Sequence, residues 1–91
     1  MYRFPAAVTF ANANEALEHA AAAETGTERL YDLSACQRFD SSLIAVLLEL
    51  ERRAQARASS CRYEGAPDKL LELGGLYGVD PLLFSPPAVS S

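Results

Sequence analysis

The chain has 91 residues, 49% of them apolar and 22% charged, with a formal net charge of −4. That length predicts one domain over 1–91, and the overall composition is that of a folded domain and argues against a disordered chain. An acidic chain without a basic stripe is a poor match for nucleic acid, no apolar run approaches the ~20 residues that span a bilayer, and the opening Met1-Tyr2-Arg3-Phe4-Pro5 lacks the features of a secretory signal.

Taken in chain order, Ala7-Val8-Thr9-Phe10 reads as a strand of β-branched and aromatic residues. Asn12, followed by Glu15, resembles a capping box that opens a helix over Ala13–Ala23. Thr25-Gly26-Thr27 ends it, Gly26 being suited to the left-handed position past a helix end. Glu28–Leu33 is a second strand. Its run Leu30, Tyr31 and Leu33 suits a central position covered on both sides. Ser34–Phe39 reads as a loop.

Asp40-Ser41-Ser42 then opens the most apolar helix, from Leu43 to about Ala58. At 100° per residue, Leu43, Ile44, Val46, Leu47, Leu48, Leu50 and Ala54 cover one arc. Ala45, Glu49, Arg52, Arg53 and Ala56 fall opposite, and Glu51 sits among the apolar positions without fitting them. Cys61-Arg62-Tyr63 is a third short strand. Gly65-Ala66-Pro67 turns into a last helix that starts near Asp68 and ends at Gly74-Gly75 or Gly78, with Pro67 in its first position. Pro81–Phe84 is a further edge segment, and residues 85–91, rich in Pro and Ser, form a flexible or docking tail. Strands alternating with helices predict an α/β fold with parallel pairs, a small sheet of mixed strands against which about three helices pack.

The stretch with chemical potential is Asp32-Leu33-Ser34 followed by Asp40-Ser41-Ser42. It sets an acid and two hydroxyls at a turn into a helix N-terminus, whose free N–H groups favour negative charge. Asp40 or Ser41 can cap the helix there, and a hydroxyl in that place can also carry a phosphate. Catalysis is poorly served. The serines lack the flanking glycines of a nucleophile elbow, the one histidine, His19, lies on another helix, and Gly74-Gly75 lacks the ending of a phosphate loop. Cys36 and Cys61 stand alone, so neither a zinc site, a disulfide nor a bound cofactor is expected.

The run from Tyr31-Asp32-Leu33-Ser34 through Asp40-Ser41-Ser42-Leu43-Ile44-Ala45-Val46-Leu47 resembles the signature of STAS domains, a strand ending in Asp-Leu-Ser and an Asp-hydroxyl corner that opens an apolar helix. Downstream, Glu64-Gly65-Ala66-Pro67 and the helix Lys69–Tyr77 agree with that pattern. Within the family, the closing Leu76–Leu83 looks most like the MlaB-like branch. The resemblance implies a non-catalytic cytoplasmic subunit that docks on the ATPase of an ABC phospholipid-transport system and so sits peripherally at the inner membrane. Its contact surface is then the Asp40, Ser41 and Ser42 turn with Ala45, Glu49 and Arg52 on the adjoining helix face. The alternative is an anti-sigma factor antagonist, met by an anti-sigma kinase and switched by phosphorylation of Ser41. One departure stands out: the glycine that the family carries after the hydroxyl pair is Leu43, a side chain expected to crowd an approach to Ser41. The short N-terminus predicts that the family's first hairpin is reduced to one strand.

Overall fold

The computed structural model describes residues 1–23 and 26–78. Thr25 of the expected helix stop, the edge segment Pro81–Phe84, the tail and most of the closing Leu76–Leu83 lie outside the described residues. Eight elements follow one another: β1 (Tyr2–Arg3), β2 (Ala7–Val8), α1 (Ala13–Ala23), β3 (Glu28–Asp32), β4 (Arg38–Phe39), α2 (Ser41–Ala56), β5 (Ser60–Glu64) and α3 (Asp68–Leu76). Strands and helices alternate as expected, with two short strands more than the sequence pattern predicts.

β3 is the central strand of a three-stranded sheet ordered β1-β3-β5, and β2 pairs with β4 in a second, two-stranded one. The expected mixture of strand directions resolves into parallel pairs at every described pairing. The N-terminal region contributes β1 and β2 to different sheets, not a single strand. Both are only two residues long, too short for a period-2 signal to register in the sequence.

The register Tyr2↔Tyr31↔Tyr63 lines three aromatics across one face of the sheet. Tyr31 stacks on Tyr63 with ring centroids 5.8 Å apart, and meets Tyr2 edge-on at 6.5 Å. This face takes the helices. The Tyr63 hydroxyl donates to the Leu47 carbonyl at 3.3 Å, and the Cys61 thiol to that of Leu50 at 3.7 Å. Burial drives the Tyr63 phenol well above its ordinary pKa, with Cys61 and Glu51 adding to the shift. Glu51, the residue out of place in the apolar arc, is half-buried here, and desolvation raises its carboxyl pKa.

The opposite face corrects the expectation that β3 is covered on both sides. One row there holds Arg3, Asp32 and Glu64, and Leu30 lies beside Arg62. Arg3, Arg62 and Glu64 are exposed.

α2 buries Leu43, Ile44, Val46, Leu47, Leu50 and Ala54, six of the seven arc residues, while Leu48 is half-buried. Each fully buried leucine contributes about 1.5–3 kcal/mol relative to leaving it in water. The helix begins at Ser41, two residues before the predicted start, and stops at Ala56. Its end is a Schellman motif: Ser59 N–H bonds to the Ala54 carbonyl at 2.8 Å and Ala58 N–H to that of Gln55 at 3.2 Å. Ala58 occupies the left-handed position of that motif with φ +56°. Pro67 is the N-cap of α3 instead of its first helical residue. α3 runs through both glycines of the Gly74-Gly75 pair, and the chain turns at Gly78 (φ +71°).

Candidate functional site

Asp40 is the N-cap of α2. Its Oδ1 accepts from the Ser42 N–H at 2.8 Å, one of the donors that a helix start leaves without an intrahelical partner. Its Oδ2 accepts from the Phe10 N–H at 3.1 Å. The same carboxylate thus caps a helix and ties down the loop after β2. These backbone donors, Ser42 first and Phe10 second, hold the Asp40 carboxyl below its ordinary pKa.

The β2–β4 pairing makes this second bond possible. The register Ala7↔Arg38 and Val8↔Phe39 carries Thr9 and Phe10 past the end of β4, beside the start of α2. Asn12 then shapes the loop. Its Oδ1 accepts from Thr9 N–H at 2.8 Å and its Nδ2 donates to the Ala7 carbonyl at 2.9 Å. The capping box expected from Asn12 and Glu15 is replaced by this local clasp, because the amide closes the turn behind it before it can reach the helix ahead.

Phe10 belongs to the corner, not to the strand assigned from sequence. The residue is 86% exposed. A phenyl group standing in water with its backbone anchored to Asp40 is the residue of this corner that the sequence reading missed. The only signal was the aromatic at the end of a short apolar run, which reads equally as strand.

Ser41 is the first residue of α2 and exposed, and Ser42 is partly buried. Leu43 is fully buried in the core, and its N–H bonds to the Asp40 carbonyl at 3.0 Å. The expected crowding of Ser41 by Leu43 is therefore absent: the side chain that replaces the family's glycine turns inward, toward the sheet.

From Ser41, the positions Ala45, Glu49 and Arg52 continue at helical spacing along one stripe, about 16 Å from end to end. Ala45 and Arg52 are exposed and Glu49 is partly so. Glu49 accepts from Arg52 at 2.9 and 2.6 Å and from Arg53 at 2.9 Å. Arg52, then Arg53, lower its carboxyl pKa to about 2. Arg53 also reaches Glu18 of α1 at 3.3 Å. The far end of the stripe is therefore a clamped charge network, while the near end is a hydroxyl and a phenyl group open to solvent.

Asp32 and Ser34, the other half of the sequence motif, are built into the fold. Asp32 is buried and accepts from Arg3 Nε at 3.1 Å and from Ser34 N–H at 2.9 Å. Hydrogen bonds from Ser34, then Arg3, lower its pKa. Behind them stands Gly65, with φ +72° and no room for a side chain against Ser34. Cys36 is buried, Cys61 is half-buried and both thiols are free, while His19 is exposed on α1. Among the described residues no group of three or more acidic, cysteine or histidine side chains could hold a metal ion. None of the described helices is long and apolar enough to cross a membrane.

The family described as "Mlab, STAS domain" matches residues 7–84, nearly the whole chain. No curated protein and no solved structure gives a significant match.

Proposed function

The chain belongs to the STAS domain family, in its MlaB-like form, and from that premise we propose that it is a non-catalytic docking subunit for the ATPase of an ABC phospholipid-transport system. STAS domains work through contacts with other proteins, and the observation that carries the reading here is the exposed corner at the head of α2. Ser41 and Phe10 stand in solvent on either side of Asp40, which caps the helix through the Ser42 N–H and ties down the Phe10 backbone. An exposed aromatic on an anchored backbone, beside a polar group, is the composition of an interface anchor. Ala45, Glu49 and Arg52 extend the contact along the helix. An interface needs roughly 800 Å² per partner, which a helix face with its preceding turn can supply. In this reading the subunit works at the cytoplasmic face of the inner membrane, held there by the transporter.

Co-purification of the cognate ATPase with wild-type and Ser41→Arg chains tests it. The substitution adds a long cation at an exposed first-turn position, so the fold is retained and the ATPase is lost from the eluate. Equal recovery of the ATPase with both chains removes this corner from the interface.

A second reading is supported by the inward turn of Leu43, which leaves the Ser41 hydroxyl open to a kinase. As an anti-sigma factor antagonist, the chain is switched when a phosphate on Ser41 adds about −1.5 to −2 charge next to Asp40 and alters the partner surface. Incubation with the cognate anti-sigma kinase and ATP, followed by intact mass measurement, decides it. The unmodified mass excludes this reading.

A further inference from the structure

At the opposite end of α2 from Ser41, α1 and α2 bring their C-terminal halves over the start of β3. A cavity of about 230 Å³ opens there, lined by Glu18, Ala21, Ala22, Arg29, Arg53 and Arg57. Three arginines and one glutamate give this lining a formal charge of +3 − 1 = +2, in a chain whose net charge is −4.

Arg29 is the unusual member. Its register opposite Cys61 puts it on the helix-facing side of the sheet, where it is only 2% exposed. Its Nε has no hydrogen-bond partner, and among the described residues it forms no ion pair. Arginine is almost never this deeply buried unless paired, because an unmet charge in a poorly solvated site is costly. The nearest acidic group on the lining, Glu18, is engaged by Arg53. Arg57 stands exposed at the mouth, as the C-cap of α2.

We propose that this cavity is a binding site for a phosphoryl oxyanion, with Arg29 as the buried donor and Arg57 as the outer cation, while Arg53 is held at the rim by Glu18 and Glu49. A guanidinium presents its N–H groups in a fork that matches phosphate geometry, and the small cavity admits a phosphate group without a bulky substituent. The site lies at the C-terminal halves of α1 and α2, whose dipoles oppose an anion, so Arg29 and Arg57, which form no ion pair among the described residues, are what make the field favourable. This site is separate from the Asp40 corner and does not depend on what docks there.

The test follows the Arg29 Nε–Hε resonance of the full chain by nitrogen–proton correlation spectra. One arm titrates inorganic phosphate against chloride at constant ionic strength. The other adds phosphatidylcholine vesicles with or without phosphatidic acid. The resonance moves saturably with phosphate if the ligand is a soluble phosphate, or only with phosphatidic acid if the site takes a lipid headgroup. Arg57→Glu, at an exposed position, keeps the fold and weakens the response about tenfold. Arg29→Gln abolishes the effect of the same probe on the neighbouring Arg53 and Ala22 amides. An unmoved resonance in both arms overturns the proposal. So does a response to phosphate that chloride matches, or one that Arg57→Glu leaves unchanged. Loss of stability in Arg29→Gln with no response to either probe assigns Arg29 to balancing the helix ends alone.

Discussion

Substituting Gly65 with alanine probes the joint that holds the Asp32-Leu33-Ser34 strand end. Two costs add. Gly65 has φ +72°, a conformation that costs an L-residue about 1–2 kcal/mol. A Cβ there stands 2.7 Å from Ser34 Cβ and 3.1 Å from Ser34 Cα and N. Carbon atoms attract best at about 3.5–4.0 Å, and the atoms met are backbone and Cβ, with no flexible end to swing aside. Overpacking of that kind costs about 1–3 kcal/mol. The sum is about 2–5 kcal/mol. In a domain of this size each kcal/mol lowers the melting temperature by about 4–8 °C.

Gly65→Ala is thus expected to shift the thermal and urea midpoints strongly downward. Gly65→Asn tolerates the left-handed backbone and loses chiefly the overlap part. Ser34→Gly removes the closest atom, so the loss from Gly65→Ala shrinks in that background by about 0.5–3 kcal/mol of coupling. Circular dichroism melts of the four variants measure the cycle. If Gly65→Ala stays within about 0.5 kcal/mol of wild type, or loses as much with Ser34→Gly as without it, the steric account of this joint is wrong.

Phe10→Ala leaves stability within about 0.5 kcal/mol, since the residue is 86% exposed, yet lowers affinity for the docking partner about tenfold or more if Phe10 is an anchor; urea denaturation reads the first number and calorimetric titration the second. Ala58→Gly relieves the left-handed alanine of the Schellman motif at φ +56° and raises the urea midpoint, a gain of about 0.5–1 kcal/mol; an unchanged midpoint contradicts it. Leu47→Ala, at a fully buried core position, costs about 2–5 kcal/mol, measured by urea denaturation. Stability also depends on pH through Glu49. Its folded-state pKa of about 2 lies below the ordinary 4.5, so its contribution is complete above pH about 4.5 and is lost as pH falls toward about 2. Asp40, shifted in the same direction, adds to that acid-side loss. Urea midpoints collected across the range show the slope, and Glu49→Gln flattens it; an equal slope in the variant rules out the Glu49 network as its source.

Much of the fold was legible because its strongest signals are local. The 3.6-residue spacing of apolar residues in α2 marked its buried arc, and the one residue that disagreed, Glu51, is half-buried against the sheet beside Tyr63. The helix start was legible too, as an acid–hydroxyl corner followed by leucine. Misreadings cluster where the signal is two residues long or where a side chain has two partners to choose from. β1 and β4 are too short to show alternation, and Asn12 closes its own turn in place of the predicted cap.

By itself, then, the order of residues determined the alternation of strand and helix, the buried side of α2 and a helix cap at Asp40 or Ser41, since each depends on spacing within one segment. The tertiary structure alone decided that Phe10 is tied to Asp40 at the head of α2, that Leu43 turns away from Ser41, and that Arg29 shares a cavity with the C-terminal halves of α1 and α2. Those placements come from strand pairing between residues some thirty positions apart, such as Val8↔Phe39, and from the packing of α1 and α2 on one sheet face. No local pattern encodes a neighbour that the chain reaches only by folding.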